Sequence, residues 1–256
     1  MRAVFCILWT TIFFVRPGFS GPYALDTCRE TALVAAGSVL SVAGWCLSNR
    51  LKPPDPAALD EKDMNCWDRP AVRFRSRPAA RWSDGLMIAC VMMPFATGLT
   101  HPDGRMRAAV MAAESLLLTY GVTKLFKGTF PRARPYVYRT DSRMTALSGD
   151  ASAGFFSGHT GLAFQGAVLG GNFFNAFYPR SGWRHAVRAA GLTAAAMTGL
   201  LRVLSGNHFP TDVFAGAFCG LLIGEWISRV HESEKPQSTP SASSPRIFRV
   251  QWRFVF

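Results

Sequence analysis

Three short polar stretches of this sequence bring together cations, imidazoles, a hydroxyl and a carboxylate. They read Lys-x6-Arg-Pro from residue 127, Ser-Gly-His from residue 157 and Arg-x5-His-x3-Asp from residue 202. Arginine and lysine bind the oxygens of phosphate or carboxylate groups, while imidazoles and carboxylates transfer protons or help attack an electrophile. The candidate residues are Lys127, Arg134, Ser157, Gly158, His159, Arg202, His208 and Asp212.

The first two stretches have the chemistry of an anion site. Lys127 acts as a point charge and Arg134 can grip two oxygens, although alone they would be a basic helix terminus that favours the helix dipole. Gly158 lets the backbone approach a ligand, and Ser157 suits the N-cap of a helix whose free N–H groups attract anions. His159 alone would more often be a capping or buried histidine.

The third stretch pairs a histidine with a carboxylate. Asp212 could accept the Nδ1 proton of His208, which would leave Nε2 unprotonated and oriented as a nucleophile. In the alternative, purely structural interpretation, Asp212 is an ordinary N-cap of the following helix.

Six apolar runs of helical length must position these residues, and they predict an all-α bundle. They are rich in alanine, glycine, leucine and methionine, as closely packed membrane helices often are. Each run could be a short membrane span or a core helix of a soluble bundle, and we favour the membrane. An up-and-down arrangement brings all three polar stretches to one end. The runs are Thr31–Ser48, Gly85–Thr100, Ala108–Thr123, Thr160–Phe177, His185–Leu201 and Val213–Ser228.

Together, the three stretches resemble the signatures of the type 2 phosphatidic acid phosphatase (PAP2) superfamily. That superfamily includes bacterial membrane-associated phospholipid phosphatases, acid phosphatases and vanadium haloperoxidases. The resemblance covers Ala108–Ser228. Two positions depart from the pattern, because Phe156 replaces a usual proline and Leu201 replaces a usual serine. Neither position supplies a reactive group.

The resemblance implies a fold, a mechanism and roles for the eight candidates. His208 would attack phosphorus, Asp212 would stabilise the resulting imidazolium, and His159 would protonate the leaving group. The phosphate would be bound by the remaining five. No metal or other cofactor is implied, and vanadate should inhibit as a transition-state mimic. The phosphate-binding set is Lys127, Arg134, Ser157, Gly158 and Arg202.

Composition narrows the class of protein. The 256 residues carry 28 basic and 16 acidic side chains, a net charge of +12, yet only 17% are charged and 49% are hydrophobic. These values exclude a disordered or collagen-like chain. No nucleic-acid-binding motif accompanies the positive charge, so we expect no nucleic-acid partner. The six cysteines include no C-x-x-C pair or zinc-like cluster, and whether Cys28 and Cys66 pair is left open.

The chain divides into three parts. Residues 1–20 resemble a secretory signal, with an N-terminal anchor as the alternative. Residues 21–230 form the predicted helical phosphatase domain, with the motifs in 108–228. Residues 231–256 combine a linker rich in serine and proline with an amphipathic tail that could form a short strand. The basic, proline-rich connection 49–84 could lie on an anionic membrane surface or form a solvated amphipathic helix.

The leading hypothesis is a phosphatase acting on a lipid phosphate or diphosphate at a cell-envelope membrane, with an extracytoplasmic site. The nearest alternative is a soluble, exported (periplasmic) acid phosphatase for small phosphomonoesters. A vanadate-dependent haloperoxidase and a catalytically silent envelope protein are weaker alternatives.

Overall fold

The computed structural model describes residues 21–101, 104–139 and 148–233, and its regular structure is helical. Each of the six apolar runs coincides with one helix, which confirms the all-α prediction. The predicted signal or anchor and the predicted C-terminal strand lie outside the described residues. The helices are α1 (Thr27–Ser48), α2 (Arg77–Leu99), α3 (Arg105–Thr129), α4 (Gly158–Phe177), α5 (Arg184–Leu204) and α6 (Pro210–Val230).

All six helices begin upstream of the predicted apolar runs, because polar and proline residues set their starts, whereas α1 and α4 end at the last residues of their runs. Asp26 accepts the N–H of Arg29 at 2.9 Å and caps α1. Ser76 accepts the N–H of Ala79 at 3.2 Å and caps α2. The last turn of α3 contains Lys127, so this residue lies on the helix and not in the loop after it.

Successive helices run in opposite directions, and this arrangement defines two ends of the bundle. The connections 49–76, 130–157 and 205–209 lie at one end, which we call the site end; their described residues (140–147 excepted) include five short 3-10 helices. At the opposite end, the first described residues pair with the end of α6: the N–H of Ala24 donates to the carbonyl of His231 at 2.8 Å. The three polar stretches therefore meet at one end, as the up-and-down prediction requires.

Small residues let α4 and α6 pack backbone to backbone. Gly216, Gly220 and Gly224 recur every fourth residue on α6 and face α4. A Cβ at Gly220 would lie 2.2 Å from the carbonyl oxygen of Gly161. α4 lies at the centre of the bundle, in contact with α2, α3, α5 and α6.

Five helices, α1, α2, α3, α5 and α6, are long and apolar enough to cross a membrane. They expose large apolar side chains, which in water would form an aggregation-prone surface. A bilayer accommodates such faces, so the fold fits the membrane alternative better than the soluble one. Examples of exposed side chains are Val39, Trp45, Ile88, Met92, Leu200, Phe214, Phe218, Leu222 and Trp226.

Candidate active site

A cavity of about 280 Å³ opens at the site end, and most of the candidate residues line it. Six of the eight do so: Lys127, Arg134, Gly158, His159, Arg202 and His208. The remaining lining residues are Lys124, which adds a further cation, and four uncharged side chains, Met87, Tyr120, Thr123 and Leu162. Ser157 and Asp212 are buried behind this lining.

The cations predicted to bind phosphate converge on this cavity without a buried acidic partner of their own. Arg134 and Arg202 are each 7% exposed. Arg134 donates from Nη2 to Asp150 Oδ1 at 2.9 Å, and Arg202 Nη1 lies 3.4 Å from Asp84 Oδ1. Asp84 and Asp150 are both largely solvent-exposed, with side-chain exposures of 52% and 71%. Exposed carboxylates neutralise buried cations poorly, so the cavity is positive and suited to an anion with several oxygens.

His208 is held in the form that a nucleophile requires. It is 1% exposed, and its Nδ1 lies 2.9 Å from the carbonyl oxygen of Gly154. A carbonyl can only accept, so Nδ1 carries the proton and Nε2 keeps its lone pair. Burial, followed by the charge of Lys127 and the other cations, holds the pKa of His208 well below its usual value. The imidazole is therefore neutral at pH 7.

The prediction that His208 donates a hydrogen bond to Asp212 is wrong. His208 Nδ1 donates to the Gly154 carbonyl instead, and the Asp212 carboxylate accepts from other donors. Asp212 Oδ2 lies 3.7 Å from His208 Nδ1. That oxygen accepts the N–H of Phe209 at 2.9 Å, while Oδ1 pairs with Arg132. Asp212 is therefore the third residue of α6, and its side chain accepts the N–H of the N-cap residue Phe209; the alternative prediction that Asp212 is itself the N-cap is wrong. The Asp212 carboxylate is still close enough to stabilise a positive imidazole through space.

Arg132 and Asp68 complete the support of Asp212, and sequence analysis missed both. Asp68 is fully buried and accepts from Arg132 Nη2 at 2.6 Å and from the Thr211 hydroxyl at 2.6 Å. Burial alone would raise the pKa of Asp68, but the hydrogen bonds it accepts outweigh burial and lower it. Arg132 thus bridges two carboxylates, one from connection 49–76 and one from α6.

Residues 49–76 of the predicted connection 49–84 form 3-10 turns and no amphipathic helix, whereas residues 77–84 belong to α2. Ala71 and Val72 of this connection pack against Phe209, which directly follows His208. Net charge and proline content could not reveal Asp68, because its partners Arg132 and Thr211 lie 64 and 143 positions further along the chain.

Replacing Asp68 with Asn is expected to lower kcat by about tenfold, with little change in KM. The amide keeps the size and one acceptor but removes the charge that orients Arg132, and a loss of about 1.4 kcal/mol corresponds to tenfold. Steady-state kinetics on the purified variant measure this. Asp63→Asn, an exposed acid in the same connection, is the matched control. Equal kcat in the two variants would contradict the role given to Asp68.

His159 is the second residue of α4 and reaches the open side of the cavity. Its Nε2 lies 3.0 Å from Asp84 Oδ1, and its side chain is 32% exposed. A partly exposed imidazole beside the cations of the cavity can donate a proton to a leaving group and later take one from water. Asp84 lies in the first turns of α2, and the sequence analysis missed it because arginines dominate that part of the sequence.

Ser157 differs from its expected roles. Its side chain makes no capping hydrogen bond, and its Oγ lies 2.9 Å from the Thr160 hydroxyl, away from the cavity lining. Its N–H donates to the carbonyl of Asp212 at 3.0 Å, so it ties the starts of α4 and α6 together. Gly158, the first residue of α4, lines the cavity, so its backbone N–H remains the candidate anion donor at this helix start.

Comparisons with known proteins point to one family. The chain is 34% identical over 122 residues to lipid A 1-phosphatase of Porphyromonas gingivalis; the match covers 46% of this chain and 23% of that protein, so it spans about a quarter of the relative's length. A transmembrane PAP2-type phosphatidylglycerolphosphate phosphatase from Bacillus subtilis aligns over 90% of this chain and 94% of its own, with 16% identity and a TM-score of 0.43. The model of the PAP2 superfamily matches residues 108–236, which include all eight candidate residues. Because that match covers half of the chain, the protein belongs to the PAP2 superfamily.

Proposed function

We propose that this protein is a membrane-embedded phosphatase that hydrolyses a lipid phosphomonoester or diphosphate through a phosphohistidine intermediate. One observation carries the proposal: the neutral, buried imidazole of His208 faces a cavity lined by Lys127, Arg134 and Arg202. A nucleophile among cations is what phosphoryl transfer needs, because the attacking group must approach phosphorus while the oxygens remain charged.

The first step forms a bond between His208 Nε2 and phosphorus and breaks the bond from phosphorus to the ester oxygen. His159 gives its proton to the departing oxygen. The phosphorylated imidazole is then positive; the Gly154 carbonyl holds its Nδ1 proton, and Asp212 at 3.7 Å stabilises its charge. The three cations bind the phosphoryl oxygens throughout.

The second step hydrolyses the intermediate. A water molecule attacks phosphorus and gives a proton to His159, which restores the acid for the next turnover. The bond from phosphorus to Nε2 breaks, and its electron pair returns to the imidazole. Inorganic phosphate and a neutral His208 result. The positive charge for both steps comes from side chains, so this chemistry requires no metal.

The lipid character of the substrate rests on the surroundings of the cavity. Met87, Tyr120 and Leu162 lie on three helices beside the cations and lead from the cavity to the apolar outer faces. A headgroup could thus reach the cations while its acyl chains stay in the bilayer. The named activity of the Porphyromonas gingivalis relative, removal of a phosphate from lipid A, agrees with this substrate class.

We also propose that the site end faces the extracytoplasmic side of the cell-envelope membrane. The support is the resemblance to exported phosphatases. Trp67 and Trp82, about 70% exposed at the site end, suit the interface between bilayer and water.

Phosphate release from purified protein in mixed micelles tests the proposed function. We expect turnover of a lipid phosphate, inhibition by vanadate, and no loss of activity when EDTA is added to the assay. A soluble phosphomonoester such as p-nitrophenyl phosphate should be a poorer substrate. Preference for the soluble ester would favour the acid phosphatase alternative, and a strict need for an added divalent metal would contradict the mechanism.

A further inference from the structure

A second cluster of chemically capable side chains lies at the opposite end of the bundle from the active site. Glu30 at the start of α1, Glu114 within α3 and His231 just after α6 each direct one ligand atom to a common point, and these atoms lie within 4.8 Å of one another. All three residues are buried, with exposures of 0 to 1%. α6 begins at the catalytic cavity and ends here, so about 30 Å of helix separates the two sites.

His231 and Glu30 are held as metal ligands usually are. Nδ1 of His231 lies 2.8 Å from the carbonyl of Ile227, so it carries the proton and Nε2 is left as the potential ligand. Glu30 Oε1 accepts the N–H of Asp26 at 2.7 Å and Arg29 Nη2 at 2.8 Å, which orients Oε2 towards the cluster. Such outer contacts fix the tautomer and direction of ligating groups in metal sites.

Glu114 is the observation that distinguishes a ligand site from a simple ion pair. Both of its carboxylate oxygens are buried and accept no hydrogen bond. A proton on His231 Nε2 would point to Glu30 Oε2, at 2.8 Å, and Glu114 Oε2 lies off that axis at 3.2 Å. The proton on His231 Nε2 can therefore hydrogen-bond to one carboxylate only, whereas a cation between the three ligand atoms can bind both carboxylates.

We propose that Glu30, Glu114 and His231 bind one divalent first-row transition-metal ion, with Zn²⁺ the best fit. Ligands about 2.0–2.2 Å from a tetrahedral ion lie about 3.3–3.6 Å from one another. The distances from His231 Nε2, 2.8 Å to Glu30 and 3.2 Å to Glu114, therefore need to widen by less than about 1 Å when the ion binds. One imidazole and two carboxylates suit zinc better than calcium or magnesium, which prefer oxygen ligands alone. The ion would join α1, α3 and the end of α6, and it takes no part in phosphoryl transfer.

The test is metal content and thermal stability, not activity. Full-length protein without a histidine tag is purified in detergent, equilibrated with Zn²⁺, freed of excess metal and measured by elemental mass spectrometry. We expect about one zinc per chain, and at zinc 100 times above Kd a rise in Tm of about 5–10 °C. Glu114→Gln should lose both effects. Glu232→Gln, an exposed acid adjacent to His231, should keep both.

Two results would overturn the proposal. One is wild-type protein that takes up no zinc and whose Tm does not respond to it, which would mean that the cluster holds only a proton. The other is equal zinc uptake by the wild type and the Glu114→Gln variant, which would place the ion elsewhere. If the variant does not fold, zinc X-ray absorption on the wild type decides: nitrogen and oxygen ligands at about 2.0–2.2 Å are expected, and sulfur ligands at about 2.3 Å would refute the site.

Discussion

Replacing His208 with Ala is expected to lower kcat by at least about 10⁴-fold and to abolish formation of a phosphoenzyme. The imidazole is the group that bonds to phosphorus, and removal of a covalent nucleophile leaves only binding and charge stabilisation to catalyse the reaction. Rapid-quench labelling with a radioactive lipid phosphate measures both effects. The wild type should yield an acid-labile, base-stable phosphohistidine, and the variant should yield none.

His185→Ala is the control for this experiment. His185 is exposed at the start of α5, at the opposite end of the bundle, so its removal should leave kcat and labelling unchanged. Size-exclusion profiles in detergent establish that both variants are folded. Appreciable turnover by His208→Ala, or a phosphohistidine that persists in it, would show that another residue is the nucleophile.

Replacing Gly220 with Ala is expected to lower Tm by about 5 °C or more and to reduce activity with it. The added Cβ would lie 2.2 Å from the Gly161 carbonyl oxygen and 3.0 Å from the Gln165 nitrogen, and both are backbone atoms of α4. Overpacking of this kind costs about 1–3 kcal/mol, and in a chain of this size each kcal/mol shifts Tm by about 2–4 °C. Separating α4 from α6 also displaces Gly158 relative to Asp212. Thermal unfolding in detergent gives the Tm, and phosphate release gives the activity.

Gly85→Ala provides the matched comparison. Gly85 also lies inside a helix, but a Cβ there meets no atom within 4 Å. Alanine is the better helix former, so Tm should stay the same or rise slightly. A similar loss of Tm in both variants would show that helix propensity, not the contact between α4 and α6, is responsible.

The fold could be predicted from the sequence because each helix contains an apolar run of its own length. Helix ends were less predictable, since they depend on capping by polar residues upstream of the run, such as Asp26 and Ser76. The central position of α4 depends on contacts between its glycines and the neighbouring helices, and the sequence of one apolar run does not reveal these contacts.

The cavity residues could be predicted because their types and spacing are characteristic of the family. The groups that form hydrogen bonds to these cavity residues could not be predicted. The acceptor for His208 is the backbone carbonyl of Gly154, and a carbonyl has no signature in a sequence. Asp68 and Asp84 become partners of the site only because the chain folds back on itself, so nothing local distinguishes them from surface acids.

The order of the catalytic groups along the chain has a consequence for biosynthesis. Asp68 is synthesised early, whereas Thr211 and Asp212 are synthesised with the last helix. Thr211 hydrogen-bonds Asp68 directly, and Asp212 is connected to Asp68 through Arg132. A nascent chain inserted only as far as α5 therefore lacks Asp212 and the hydrogen bonds that hold the catalytic loop. Under the proposed mechanism, hydrolysis therefore requires the final helix, and a chain that stops before α6 would be inactive.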